Sequence, residues 1–407
     1  MKKKVLSLIL ASVMVAGLSA CGSATAEAPA PAEEAAEEAE AVEEEAEEAA
    51  EEETEAVEDE AEAVEEEAGA AEEEAADESS DLSGDVPEVT TIRWARGASG
   101  NAMVTVAKKL GYFDEVGLTV DEIPIDNNND AFTALATDQV DILSNYGTNQ
   151  PLQHIATGED VVIFGGHMIT GCMPVIAKAG TEWNGVEDLI GKKVAGPATT
   201  YAVSGPLLDM GYDPLNDVQW LDYSSQSDRV AAVASGEADY GIIGTNQNFA
   251  VNNNPDLEVM CYLSDITPNY SCCRMETDSQ FINDNPIALK LLMKAMLRAQ
   301  SYYEKNKEEV VTWMAEELET EEDFVAAYML NEHYRINIDP AKSATHRAWD
   351  YMDAMGFLDE NAKEIDLDDH INTEIYKAAL AEATEEYGDE DPEFYEKMNA
   401  LFEEQNS

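Results

Sequence analysis

Apolar and polar positions between residues 90 and 270 recur in a repeating order. Residues 90–95 (TTIRWA) alternate with period two and predict a strand. The loop Gly97–Asn101 (GASGN) follows. Met103, Val106, Ala107 and Leu110 then recur at helical spacing, with Gly111 placed where a helix ends. Residues 118–125 predict a second strand, 130–139 a short helix and 140–147 a third strand. Residues 149–158 predict a helix and 160–167 a fourth strand. This β-α-β-α-β-α-β order predicts a mostly parallel sheet with helices on both faces. The pattern then restarts. A strand at 173–180, a helical turn and strand at 186–196 and a helix within 197–211 come first. A strand at 217–223, a helix at 226–238 and strands at 239–244 and 257–265 complete a second, smaller α/β unit.

Beyond Asn283 the apolar period becomes helical. Asn283, Asp284 and Asn285 are capping candidates and Pro286 suits a first turn. Leu289, Leu292, Met293, Met296 and Leu297 form one apolar stripe on a helical stretch continuing past residue 310. Further amphipathic helices are expected around 320–334, 341–357 and 371–387. Their aromatic content suits burial against a domain.

The first 85 residues have no such pattern. Lys2, Lys3 and Lys4 precede an apolar run, residues 5–17, that is short for a membrane span, so residues 1–21 read as an export signal peptide. Leu18-Ser19-Ala20-Cys21 resembles the lipobox of bacterial lipoproteins. That resemblance implies cleavage before Cys21, acylation of its thiol with a chain such as palmitate, and a lipid anchor on the extracytoplasmic face of the cell membrane. Residues 22–80 hold 27 acidic residues, no Lys or Arg and no aromatic. Such a segment has nothing bulky to bury and repels itself, so residues 22–85 are expected to be a disordered acidic tether. Fully stretched, about 60 residues reach roughly 200 Å.

The remaining chain is long enough for two cores, and it is acidic: 59 acidic against 20 basic residues. That balance disfavours nucleic acid as a partner and tight adsorption to anionic lipid. The organisation expected is bilobal. Residues 86–174 make the first part of lobe 1 and residues 175–270 make lobe 2. Residues 271–407 make a second crossing and C-terminal helices packing on lobe 1. The crossings lie near Gly171–Lys178 and Asn269–Asp278, and a cleft between the lobes is the expected ligand site. The spacing of Cys172, Cys261, Cys272 and Cys273 fits no zinc or iron–sulfur pattern. On a strand, Cys272 and Cys273 would point to opposite faces and stay apart.

Several motifs occur in family order. Leu110-Gly111-Tyr112-Phe113, Glu115, Gly117-Leu118, Val120, Ala134-Leu135 and Val140-Asp141 form the first set. Residues 186–200 (VEDLIGKKVAGPATT) and 231–243 (AAVASGEADYGII) form the second. Over residues 90 to about 310 the chain resembles the nitrate/sulfonate/taurine-type binding proteins of ABC importers, which also resemble thiamine-pyrimidine synthesis proteins. Asn127-Asn128-Asn129 replaces the glycine or serine usual in the loop after the second strand, and Ala232-Val233 replaces a more hydrophobic Ala-Leu. The resemblance implies a type II periplasmic-binding-protein-like fold with two hinge crossings. It also implies a monomer that captures a small organic solute, such as a sulfonate, a related anion or a thiamine-pyrimidine precursor. The complex would dock on an ABC permease and its ATPase. No cofactor, metal or catalysis is implied.

By position, the resemblance places ligand contacts at Ser99, Gly100, Asn101, Asn145, Tyr146, Gly147, Thr148, Ala198, Thr199, Thr200, Tyr201, Thr245 and Asn246. Ser99, Thr199 and Thr200 also precede helices, where backbone N–H groups hold anionic oxygens. Helix capping alone accounts for them equally well. Trp94, Arg96 and Tyr201 are candidates to wall an organic ligand. Arg96 at a strand end offers a fork to a sulfonate or carboxylate, or a surface ion pair. His167 follows two glycines at a strand end, and Arg274 lies on the second crossing beside two cysteines. A sensor or adhesin with the same fold, and a pyrimidine-synthesis-like enzyme, remain alternatives. No HExxH, GxSxG or P-loop motif is present.

Overall fold

The computed structural model describes residues 82–223 and 225–407. The export segment, Cys21 and residues 22–81 lie outside the described residues. The first α/β unit runs β1 (Thr91–Arg96), α1 (Ala102–Leu110), β2 (Thr119–Pro124), α2 (Asn128–Ala136), β3 (Ile142–Ser144), α3 (Asn149–Ala156) and β4 (Val162–Thr170). Local chemistry sets these ends. The Asn101 carboxamide accepts from the N–H groups of Met103 and Val104 at the start of α1. Gly111 closes α1 at φ 75°, a left-handed position that a side chain would strain.

The chain then crosses to a second sheet. Its elements are β5 (Pro174–Lys178), β6 (Lys193–Ala195), α4 (Tyr201–Asp209), β7 (Gln219–Leu221), α5 (Gln226–Ser235), β8 (Tyr240–Ile242) and β9 (Leu257–Tyr262). It returns through β10 (Cys273–Thr277). Long helices α6 (Pro286–Lys305), α7 (Lys307–Glu317) and α8 (Glu322–Met329) follow. The two-residue strand β11 (Arg335–Ile336) leads into α9 (Lys342–Ala354), α10 (Glu374–Tyr387) and α11 (Pro392–Asn406).

The strand orders are β11-β4-β10-β3-β1-β2 and β7-β6-β8-β5-β9. Both sheets follow one plan. Three parallel strands are followed by an antiparallel strand that arrives from the other lobe. In the first sheet β10 pairs antiparallel with β3 and β4. In the second, β5 pairs antiparallel with β8 and β9. The sheets are therefore mixed rather than continuously parallel, because each crossing strand enters from the opposite direction. Held between β10 and β11, β4 is buried along all nine residues.

Other expectations need correction. Residues 82–85 belong to the folded body rather than the tether: the buried Lys290 ammonium donates to the Leu82 and Gly84 carbonyls, each at 2.8 Å. The cap of α6 is remote in sequence. Glu88 accepts from Ile287 N at 3.0 Å and Ala288 N at 2.8 Å, while Asn285 turns its side chain to the Phe281 carbonyl. The helical stretch after Pro286 breaks at Asn306, giving α6 and α7. The C-terminal helices also reach beyond the first lobe. Ala348, Trp349 and Met352 of α9 share an apolar cluster with Tyr201, Ala202 and Val203 of α4. Helix α8 packs on the short helix Asn248–Asn252. Among the described residues no helix is long and apolar enough to cross a membrane.

Candidate functional site

A cavity of about 510 Å³ opens between the two sheets. Its walls come from the ends of strands and from the crossings. Asn128 follows β2, residues 145–150 follow β3, Pro197, Thr199, Thr200, Tyr201 and Ala202 follow β6, with Ala198 off the wall, and Gln226 and Arg229 follow β7. Met173, Tyr270 and Cys272 come from the crossings. Loops at the carboxyl ends of parallel strands are where open α/β sheets place ligands.

Two helices present their first turns to this cavity. Thr148 precedes α3 and Thr200 precedes α4, and neither helix carries a side-chain cap. Thr148 instead donates its hydroxyl to the Ser271 carbonyl on the second crossing. Thr200 turns its hydroxyl back to the Pro197 carbonyl at 3.0 Å. Backbone N–H groups at such ends attract negative charge. The lobes already touch there: Asn149 Nδ2 donates to the Thr199 carbonyl at 2.6 Å. Tyr201, buried on the same wall, donates to the Ser271 carbonyl at 2.8 Å.

Arg229 is the one charged residue on the cavity wall among the described residues. Its Nη1 reaches the Ile242 carbonyl at 3.5 Å, and its Nη2 stands 4.0 Å from the exposed Asp222 carboxylate. Its Nε is buried without a protein partner. Burial lowers its pKa from the usual value, against the raising effect of Asp222. No carboxylate lines the cavity among the described residues, although the chain carries 86 acidic residues.

The sequence-derived candidates divide. Asn145, Tyr146, Gly147, Thr148, Thr199, Thr200 and Tyr201 line the cavity. Ser99, Gly100 and Asn101 lie outside its wall, and Ser99 and Gly100 connect to it through Asn145. Asn145 Nδ2 donates to Ser99 Oγ at 2.8 Å and to the Gly100 carbonyl at 2.6 Å. Asn101 is buried as the cap of α1 and donates to Ser144 Oγ at 2.9 Å. Trp94 is wholly buried in the core and walls nothing. Arg96 points to the end of α7, with Nη1 3.4 Å from the Glu317 carbonyl, a cation placed at a helix C-terminus.

His167 and Arg274 are fully buried and absent from the wall. His167 Nδ1 meets Asn145 Oδ1 at 2.6 Å. Burial first, and then the Arg274 charge, pull its pKa down to about 3. Arg274 Nη1 donates to the Asp339 and Pro340 carbonyls at 2.8 and 3.0 Å, and Nη2 to the Met168 carbonyl at 2.9 Å. It fastens the strand rather than facing the cleft. Thr245 and Asn246 also lie off the wall, in the turn Thr245–Gln247 against which α8 packs.

Sequence reasoning missed Asn149, Gln150, Gln226, Arg229 and Tyr270. Arg229 carried a signal: it lies in the first turn of a second-lobe helix, just past a strand end. Among the described residues no group of three His, Cys, Asp or Glu side chains is arranged to hold a metal.

Comparison with solved structures places the chain among proteins of the periplasmic-binding-protein fold. The periplasmic aliphatic sulphonate binding protein SsuA of Escherichia coli aligns at a TM-score of 0.57 and 16% identity, over 66% of this chain and 89% of that one. The alkanesulfonate-binding protein SsuA of Xanthomonas axonopodis pv. citri, bound to MOPS, aligns at 0.56 and 15%, over 70% and 98%. The periplasmic nitrate-binding protein NrtA of Synechocystis PCC 6803 aligns at 0.59 and 16%, over 79% and 100%. Comparison with curated proteins gave no match. A family model described as NMT1/THI5 like matches residues 99–310, which span β3, the cavity wall and both crossings, and the chain belongs to that family.

Proposed function

We propose that this chain is the extracytoplasmic solute-binding component of an ABC importer, and that it captures a small organic anion of the sulfonate type in the interlobe cleft. One observation carries the reading. The first turns of two helices and the Arg229 guanidinium line one cavity that no carboxylate among the described residues enters, in a chain of net charge −63. Positive potential collected at one place in an acidic protein suits an anion. The names of the structural relatives, two sulfonate binders and a nitrate binder, support the same class.

On this reading Asn149, Thr199, Thr200, Tyr201 and Arg229 hold the ligand, and closure of the lobes around it shifts a two-state equilibrium. The chain makes and breaks no bond. The loaded monomer delivers its solute to a membrane permease driven by an ATPase. Acylated Cys21 and the acidic tether hold the folded body, residues 82–407, at the outer face of the membrane. A neutral pyrimidine is the second reading, favoured by the amides of Asn128, Asn149, Gln150 and Gln226 beside Tyr201 and Tyr270.

Thermal unfolding against a panel of alkanesulfonates, nitrate, pyrimidines, amino acids and divalent metals tests both. Ligands specific for the folded state raise the midpoint with dose. A rise with alkanesulfonates that needs a higher dose in Arg229→Gln is expected. A rise only with pyrimidines overturns the anion reading. Absence of any shift, in protein that mass spectrometry after denaturing extraction shows to be ligand-free, overturns solute capture.

A further inference from the structure

We propose that Cys272 and Cys273 form a reversible vicinal disulfide on the wall of the cleft, so that this pair is an oxidative modification site. Neighbouring residues on a strand keep their side chains on opposite faces, which would separate these thiols. The structure does the reverse: the Cys273 thiol donates to Cys272 Sγ at 3.7 Å. The reason lies in the crossing. Cys272 precedes β10, and it follows Ser271 at φ 59° and Asn269 at φ 49°, two left-handed residues that turn the chain.

Space for the sulfur is built on the other crossing. A Cβ at Gly171 would stand 2.9 Å from Cys272 Sγ, so glycine leaves the room the thiol needs. Cys272 is partly exposed and lines the cavity, where a small oxidant reaches it, while Cys273 is buried behind it. The other nearby thiol is engaged elsewhere: Cys172 is buried, donates to the Tyr328 carbonyl and receives Asn248 Nδ2 at 3.3 Å. The Cys273 hydrogen bond first, then those of Tyr270 and Gly171 and the Arg274 charge, pull the Cys272 pKa down to about 7 against its burial. A thiolate is the nucleophile in such chemistry.

With a hydroperoxide as oxidant the step balances. Cys272 thiolate attacks the O–O bond of hydrogen peroxide, becomes a sulfenic acid and expels hydroxide, which takes a proton to leave as water. Cys273 sulfur then attacks Cys272 sulfur, gives up its proton and expels a second water. Two thiols and one peroxide yield one disulfide and two waters, and a dithiol reductant reverses the change. The sulfurs close from 3.7 Å to about 2.05 Å. The ring stiffens the segment through which the second lobe returns to the first.

The test treats the full chain with hydrogen peroxide, then denatures it in iodoacetamide and sequences the Cys272–Cys273 peptide by mass spectrometry. The expected peptide is two hydrogens lighter than the reduced form and carries no alkyl group, while Cys172 and Cys261 are alkylated; dithiothreitol restores both thiols. In Cys273→Ser, dimedone should trap Cys272 as the sulfenic acid. Two alkyl groups on the oxidised wild-type peptide overturn the proposal. So does dimedone on wild-type Cys272, or a link from either thiol to Cys172 or Cys261. The wild-type arm decides even if the variant does not fold.

Discussion

One phenol on the second crossing satisfies both polar groups of one residue on the first: Tyr270 Oη accepts from Gly171 N at 3.0 Å and donates to the Gly171 carbonyl at 2.8 Å. All three groups are buried, so no water replaces the bonds. Tyr270→Phe should leave a buried N–H and C=O unpaired, at a cost of about 1–3 kcal/mol each before relaxation. The denaturant midpoint should fall with an unchanged slope, which equilibrium unfolding in urea reads. A midpoint equal to wild type would mean that the crossings are not tied through this phenol.

Two arginines at strand and helix ends differ in role. Arg229 lines the cavity, whereas Arg96 faces the Glu317 carbonyl. Arg229→Gln should weaken binding of an alkanesulfonate about 10- to 100-fold, the range for a hydrogen bond to a charged group. Arg96→Ala should leave affinity unchanged. Calorimetric titration of both variants checks the contrast. Equal losses would place Arg96 in the site after all.

Most elements were legible because period two and period 3.6 separate cleanly in this chain. Where the elements lie was less so. Alternation is the same in parallel and antiparallel strands, so β10 gave no sign that it inserts between β3 and β4. The cap that Glu88 gives α6 spans nearly 200 residues, beyond any local pattern. Site positions after strand ends could be read by analogy at Asn145–Thr148 and Thr199–Tyr201. Arg229 sits on an amphipathic helix, where a basic residue reads as solvent-facing. Cys272 met Cys273 because non-glycine residues adopt positive φ just before it, which composition does not announce.

Besides the apolar cluster they share, α9 and α4 meet closely at Tyr351. A Cβ at Gly205 would stand 2.5 Å from the Tyr351 ring, and the Tyr351 hydroxyl bonds Asp209. Gly205→Ala should overpack this contact and cost about 1–3 kcal/mol. Adding Tyr351→Ala should recover most of the loss. A double-mutant cycle by chemical denaturation measures the coupling, and additive effects would show that the two residues do not meet.

His167 and Glu276 place opposite pH dependences in one lobe. Burial, then Arg274, hold the His167 pKa at about 3, below the ordinary 6.5. Between these values the unfolded chain binds a proton that the folded chain does not, so stability rises with pH. The contribution is complete above pH 6.5 and is lost as pH falls towards 3. Glu276, whose two carboxyl oxygens are buried without partners, has its pKa raised well above 4.5 by burial, against the lowering effect of Arg274. Above pH 4.5 the unfolded chain releases this proton while the folded chain keeps it, so stability falls as pH rises until the folded group ionises. His167→Gln should therefore flatten the acid limb of the stability profile by about 1.4 kcal/mol per pH unit at most, the slope of one proton. Glu276→Gln should flatten the descent above pH 4.5 and make the protein more stable than wild type at pH 7. Urea unfolding from pH 4 to 8 on wild type and both variants gives the three profiles. A wild-type acid slope retained in His167→Gln would assign that limb to other groups, and a less stable Glu276→Gln at pH 7 would mean that the carboxylate is ionised in the fold.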